Sequence, residues 1–176
     1  MVKIAKFLAY SIFFILALMY FTPKVALYYF AETQLKPYGV IMTDESVSDN
    51  GFTFGIKDAV VTFKAIESAT VKDTNIALFG LYNKVKLKDI TLASTAASFV
   101  PTDVKNVDIS YSIFNPLNII AVSEGGFGEA KVEVNLLDRK LYLKLEPSKV
   151  MNKKYRNTLR NLKKSKDGGY EYAKTF

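Results

Sequence analysis

The stretch 128-GEAKVEVNLLDRKLYLKLE-146 alternates apolar and polar residues twice, with a short polar break between the halves. Ala130, Val132 and Val134 alternate with Lys131, Glu133 and Asn135, and Leu141, Leu143 and Leu145 with Tyr142, Lys144 and Glu146. Successive side chains of a strand point to opposite faces, so each half reads as a strand with one dry and one wet face. Asp138-Arg139 then reads as the turn of a hairpin.

The same period extends outward. Phe52, Phe54 and Ile56, then Val85 and Leu87, then Val107, Ile109, Tyr111 and Ile113 each alternate with polar residues. Asn50-Gly51 is a strong hairpin signal. Tyr170 to Phe176 reads as a last strand, with Tyr170, Tyr172 and Phe176 on one face. An apolar-Lys-Asp triplet recurs at Ile56-Lys57-Asp58, Val71-Lys72-Asp73 and Leu87-Lys88-Asp89, and as Val104-Lys105-Asn106. Its lysines stand 15, 16 and 17 residues apart, a spacing that suits successive strand-plus-turn units of a meander. The expected fold is mainly β, a curled antiparallel meander.

The front of the chain follows another rule. Phe7 to Thr22 holds no charge, and the apolar run continues to Ala31 with Lys24 as its one charge. That is enough for a membrane-spanning helix, which needs about 20 apolar residues. Phe7, Phe13, Phe14, Ile15, Leu16, Leu18, Tyr20 and Phe21 are the expected anchor residues. Lys24 is expected to snorkel to the headgroups, and Tyr20, Phe21, Tyr28, Tyr29 and Phe30 to form an aromatic belt. Pro23 marks a kink or the exit from the bilayer. Thr22 to Ala26 carries Pro or Lys where a small-x-small cleavage site would lie, so an uncleaved anchor is expected. Lys3 and Lys6 precede the span and only Lys24 closely follows it, which favours a cytoplasmic N-terminus. Residues 1–35 are thus read as a membrane anchor, which in a Gram-negative bacterium is an inner-membrane anchor with the main domain in the periplasm and in other cells puts that domain on the extracellular side. Residues 36–176 are read as a periplasmic β domain, with Pro37 and Gly39 ending the helical run.

Near the other end, Lys149, Lys153, Lys154, Arg156, Arg160, Lys163, Lys164 and Lys166 occur with no acidic residue among them. Ser148 suits a helix N-cap, Tyr155, Leu159 and Leu162 fall on one stripe, and Asp167-Gly168-Gly169 is a stop. A basic helix over about 148–166 is expected, with those eight cations as a surface for anionic lipid or an acidic partner. The net charge of +7 is therefore local. Outside residues 1–31 and 149–166, 13 basic residues face 17 acidic ones. Nucleic acid is not expected as a partner, for no base-reading or stacking motif accompanies the cations.

Composition removes much chemistry. The 176 residues include no His and no Cys, so a His-assisted nucleophile and the usual zinc, haem and iron–sulfur ligand sets are excluded. No catalytic residue, cofactor or metal is assigned, and an enzyme is not expected. Asp44 to Gly51 is rich in oxygen ligands but lacks the EF-hand spacing, so it reads as a polar hairpin loop. Gly125-Gly126-Phe127-Gly128 lacks the Lys-Ser/Thr of a phosphate loop and reads as a turn where backbones pass closely.

The membrane helix, the apolar-Lys-Asp/Asn units and the block GGFGEAKVEVNLLDRKLYLKLEP…GGYEYAKTF resemble the AsmA-like group, which includes the type II secretion N protein. That resemblance implies a sheet curled into an open taco or groove, in some members used to move or bridge lipid. In role the chain is also similar to accessory disk proteins of the bacterial flagellar motor. The expected function is a non-enzymatic, single-pass scaffold subunit of an envelope machine, assembled with other proteins. The alternative is a lipid-binding protein with an apolar groove.

Overall fold

In the computed structural model, residues 2–78, 81–166 and 168–176 are described. Asp167 of the predicted helix stop lies outside them. Helix α1 (Val2–Phe21) is followed by α2 (Lys24–Leu35) and then by strands β1 (Val40–Thr43), β2 (Ser46–Asp49), β3 (Thr53–Phe63), β4 (Ile66–Leu78), β5 (Tyr82–Leu92), β6 (Asp103–Ser112), β7 (Asn118–Gly125), β8 (Gly128–Asn135) and β9 (Lys140–Pro147). Two short helices, α3 (Lys149–Lys154) and α4 (Arg156–Leu159), lead to β10 (Lys163–Lys164) and β11 (Tyr170–Thr175).

All the strands form one antiparallel sheet, a curled meander as the alternation implies. The order is β1-β3-β4-β5-β6-β7-β8-β9-β11-β10, and β2 pairs β3 beyond the end of β1. Both expected hairpins form. At the first, the Gly51 N–H donates to Asp49 Oδ1 at 2.9 Å and Gly51 takes φ +77°. At the second, Arg139 takes φ +50° and Asn135 Oδ1 accepts from the Asp138 N–H.

The triplet repeat has a different place from the one its spacing suggests. It lies inside long strands and not at their turns. In β3, Phe54 and Ile56 face inward, Lys57 and Asp58 are both exposed, and Ala59 resumes the inward face. The triplet therefore adds one residue to the period of two, and the dry face moves from even to odd positions. The shift recurs in the neighbours, from Val71 to Thr74, Leu87 to Ile90 and Val104 to Val107. Because each strand carries the extra residue at the same level, pairing stays in step. It passes from Lys57↔Asp73 to Ala59↔Val71, and from Lys88↔Asn106 to Ile90↔Val104. The result is a crease across four strands. It reaches the β1/β2 junction at Asp44 and ends as a bulge at Lys105, where β7 has no matching residue. Asp44, Asp58 and Asp89 take φ of 64°, 56° and 51°, a left-handed conformation that Asp tolerates better than most residues.

The pre-sheet helices divide at Pro23. Twenty residues of α1 span about 30 Å, a bilayer's hydrocarbon thickness. It is apolar enough to cross a membrane, and its central stretch is not buried against the domain. The expected continuation of the anchor to Ala31 is corrected here: α2 packs on the sheet instead. Tyr28, counted above in an aromatic belt, is buried with Phe54, Ile56 and Ala59. Lys24, expected to snorkel, is 2% exposed. Its ammonium donates to the Met19, Tyr20 and Thr22 carbonyls at 3.1–3.4 Å and lies 3.4 Å from Asp49 Oδ1. A cation thus caps the carbonyl end of α1 and ties it to the β2–β3 turn.

Candidate functional site

Three surfaces are set by this frame. Pairing rows fix their levels, because directly paired residues share a face and a height. One row runs Thr53–Ala77–Lys84–Ser110–Ile120–Glu133–Tyr142. Just beyond it lie the β2–β3, β6–β7 and β8–β9 turns, on the rim where α1 joins the domain. Tyr20 at the end of α1 packs edge-on against Phe52, with ring centroids 5.4 Å apart.

The inner face is an apolar trough. One row of it reads Phe54, Ile76, Val85, Ile109, Ala121, Val132, Leu143 and Tyr172. Phe54 is covered by α2, whereas the row from Ile76 to Leu143 is only half-buried. Where α2 meets the sheet, an apolar hollow of about 220 Å³ remains between Tyr28, Met42, Ala59, Val71 and Leu87. Burial and the nearby Glu45 carboxylate push the Tyr28 hydroxyl's pKa up, and its O–H lies 3.2 Å from Glu45 Oε1 as donor.

The basic stretch covers the opposite corner, at the C-terminal edge of the sheet. The expected single helix over 148–166 does not form. Ser148 caps α3, with its Oγ accepting from Met151 N–H at 3.0 Å. The helix then breaks at Tyr155, at φ −117° and ψ 34°. After α4 the chain turns, and Lys163 and Lys164 pair as a strand with Glu171 and Tyr170. Like charges three and four residues apart oppose one long helix here, as at Lys149/Lys153, Arg156/Arg160 and Arg160/Lys164. The stripe itself is as expected: Tyr155, Leu159 and Leu162 pack with Met151, Ala130 and Leu145.

All eight predicted cations are exposed. Arg156, Arg160 and Lys164 come together around a cleft of about 540 Å³ with Asn152, Leu159 and Tyr170. Lys163 faces a neighbouring recess beside Tyr142 and Tyr172. Lys149, Lys153, Lys154 and Lys166 line neither. Among the described residues, none of the eight forms an ion pair with a carboxylate. Arg156 Nε donates to the Asn152 carbonyl at 3.2 Å, which holds the guanidinium at the mouth of the cleft. The arrangement suits an anionic surface.

The eight predicted anchor residues, Phe7, Phe13, Phe14, Ile15, Leu16, Leu18, Tyr20 and Phe21, are all exposed along α1. The Asp44–Gly51 segment is a turn and a hairpin, with Asp49 engaged by Gly51 and Lys24. At the glycine turn backbones do pass closely, for a Cβ on Gly128 would lie 2.1 Å from the Glu146 carbonyl oxygen. Sequence reasoning missed the Lys24–Asp49 contact, which joins residues 25 apart and has no local signature.

No family model, curated protein or solved structure matches this chain.

Proposed function

We propose that this is a non-enzymatic scaffold subunit of a bacterial envelope machine, a secretion system or a flagellar motor disk. In this reading α1 anchors it in the inner membrane, with Lys3 and Lys6 cytoplasmic and the β domain periplasmic. The observation that carries it is the polarity of the domain. The apolar helix joins one rim, and eight cations without carboxylate partners among the described residues start at the other end of β9. The cations do not all stay there, for Lys163 comes down beside Tyr142, but Lys164 of the cleft pairs with Tyr170 and so stands level with Leu145, five residues or about 17 Å from Lys140 at the rim; the cleft is thus held off the bilayer that α1 enters. This favours an acidic protein neighbour over the same membrane's headgroups as the partner of the cations. A second docking element accompanies it: among the described residues nothing pairs with the outer edge of Tyr172–Thr175, a template for an added strand. Cross-linking in intact cells tests the reading. Replacing Arg156, Arg160 and Lys164 by Glu is expected to abolish the cross-links while the protein stays in the membrane fraction. Unchanged cross-links would remove the cleft from the mechanism.

The trough favours a second reading, in which the inner face holds an acyl chain, as the AsmA-like likeness implies. A half-open apolar row across the sheet is costly to leave in water. Mass spectrometry of lipid extracted from the purified full chain decides this. Bound lipid that is lost on Val107→Glu supports it, and its absence from the unaltered protein sinks it.

A further inference from the structure

The rim around the α1 junction carries large apolar side chains at its turns, where a water-facing domain places polar ones. Phe114 is 83% exposed, Leu137 72%, Phe176 60% and Leu81 56%, with Leu136 and Phe52 also exposed. They come from separate turns and the chain end, yet backbone bonds tie the pieces side by side. Ile113 N–H donates to the Leu81 carbonyl, Leu136 N–H to Leu117, and Phe176 N–H to Arg139, at 2.7–3.0 Å. These bonds tie the rim together from Leu81 to Phe176 at the far edge, and Phe52, which touches Tyr20 of α1, lies at the same end of the sheet, next to the Thr53↔Ala77 pair. The opposite rim also exposes Tyr38, Phe63, Ile66, Phe99 and Val150, but there they are separated by Lys64, by the small and polar residues 94–98 and by Lys149.

We infer that this rim is a membrane-contacting edge, with Phe114, Leu137 and Phe176 dipping into the interface of the bilayer that α1 crosses. The inference rests on reading α1 as a span. The occupant follows from continuity, because the end of α1 and the rim lie at one level, joined through Tyr20, Phe52 and the buried Lys24. Arg139, Lys140 and Lys174 neighbour the apolar tips along the chain and are exposed, with Lys140 also 3.8 Å from the Asp138 carboxylate of the same turn. There they suit phosphate headgroups while their stems lie along the interface. The sheet would then stand on its rim, with the open trough running up from the lipid.

The chain has no Cys, so single-Cys labelling of the full chain is clean. Phe114→Cys, Leu137→Cys, Ser98→Cys and Phe14→Cys are each labelled with an environment-sensitive fluorophore. The probe membranes are vesicles of phosphatidylcholine and phosphatidylglycerol carrying a nitroxide at shallow acyl depth or, for the label at 14, at deep acyl depth. Labels at 114 and 137 are expected to shift to the blue and to be quenched, and the label at 98 to stay as in water. If the label at 14 is quenched while those at 114 and 137 behave like 98, the rim inference falls and the anchor reading stands. If 14 is unquenched as well, both fall. Protection of 114 and 137 in cells without quenching in vesicles also overturns it, and assigns the rim to a protein neighbour.

Discussion

Lys24 shows how one side chain joins two parts of a molecule. It lies in an apolar run, and from that context alone it reads as a snorkelling lysine. Its real position depends on Asp49, whose carboxylate is far along the chain and close in space. Lys24→Met keeps the apolar stem and leaves the terminal carbonyls of α1 without their donor. A loss of about 1.5–3 kcal/mol in denaturant unfolding of the full chain in detergent is expected, the usual range for a hydrogen bond to a charged group. Asp49 gives the same joint a pH dependence. The Gly51 N–H, and then Lys24, hold its carboxyl below the ordinary carboxylate range. A depressed folded value means that the stabilisation is complete above about pH 4 and lost as pH falls through the lower folded value. The protection of the Gly51 amide against hydrogen exchange, taken relative to the intrinsic rate at each pH, should therefore fall on acidification, and Asp49→Asn should remove that pH response. Gly51 was legible as a turn glycine, but not its close approach to the end of α1, where a side chain would have to displace the Tyr20 ring. A Cβ there would lie 2.2 Å from the Tyr20 ring.

At the scale of elements, the strands were legible because each half of a creased strand keeps its own period of two. The crease was not, because its signal is the failure of that period at the triplet. Apolar-Lys-Asp-x-type spacing places apolar residues three apart, which no single strand face satisfies without an added residue. At Asp89, the left-handed backbone sets the expectation: Asp89→Gly should leave stability nearly unchanged, whereas Asp89→Val should cost about 1–2 kcal/mol. Equal effects of the two would show that the conformation at Asp89 is not what matters. The basic stretch taught the converse lesson. Its apolar stripe was read correctly, and that stripe does fix it to the sheet, but its length was overestimated because repulsion among the cations and a pairing with β11 both shorten the helix. Met151 is 1% exposed beneath α3. Met151→Ala should destabilise by about 2–5 kcal/mol and, in limited proteolysis, open the chain first between residues 149 and 166.

Across the whole molecule, the charge distribution was legible and the geometry that gives it meaning was not. Counting residues locates the cations near the C-terminus. Only the strand register shows that they begin one strand length from the rim that α1 joins. Two residues, Thr22 and Pro23, separate α1 from α2, and α2 is packed into the sheet. With α1 in a bilayer, the domain is therefore a post and not a tethered ball. Inserting a flexible Gly-Ser linker after Thr22 should leave membrane fractionation intact and reduce in-cell cross-links through Arg156 and Arg160. Retention of those cross-links at full yield would show that reach is unimportant. On the proposed scaffold reading, the joint would act as a ruler: by denying the domain any slack, it would set one altitude above the lipid at which a neighbour must present its acidic surface, and neighbours at other altitudes would be passed over without a single repulsive contact.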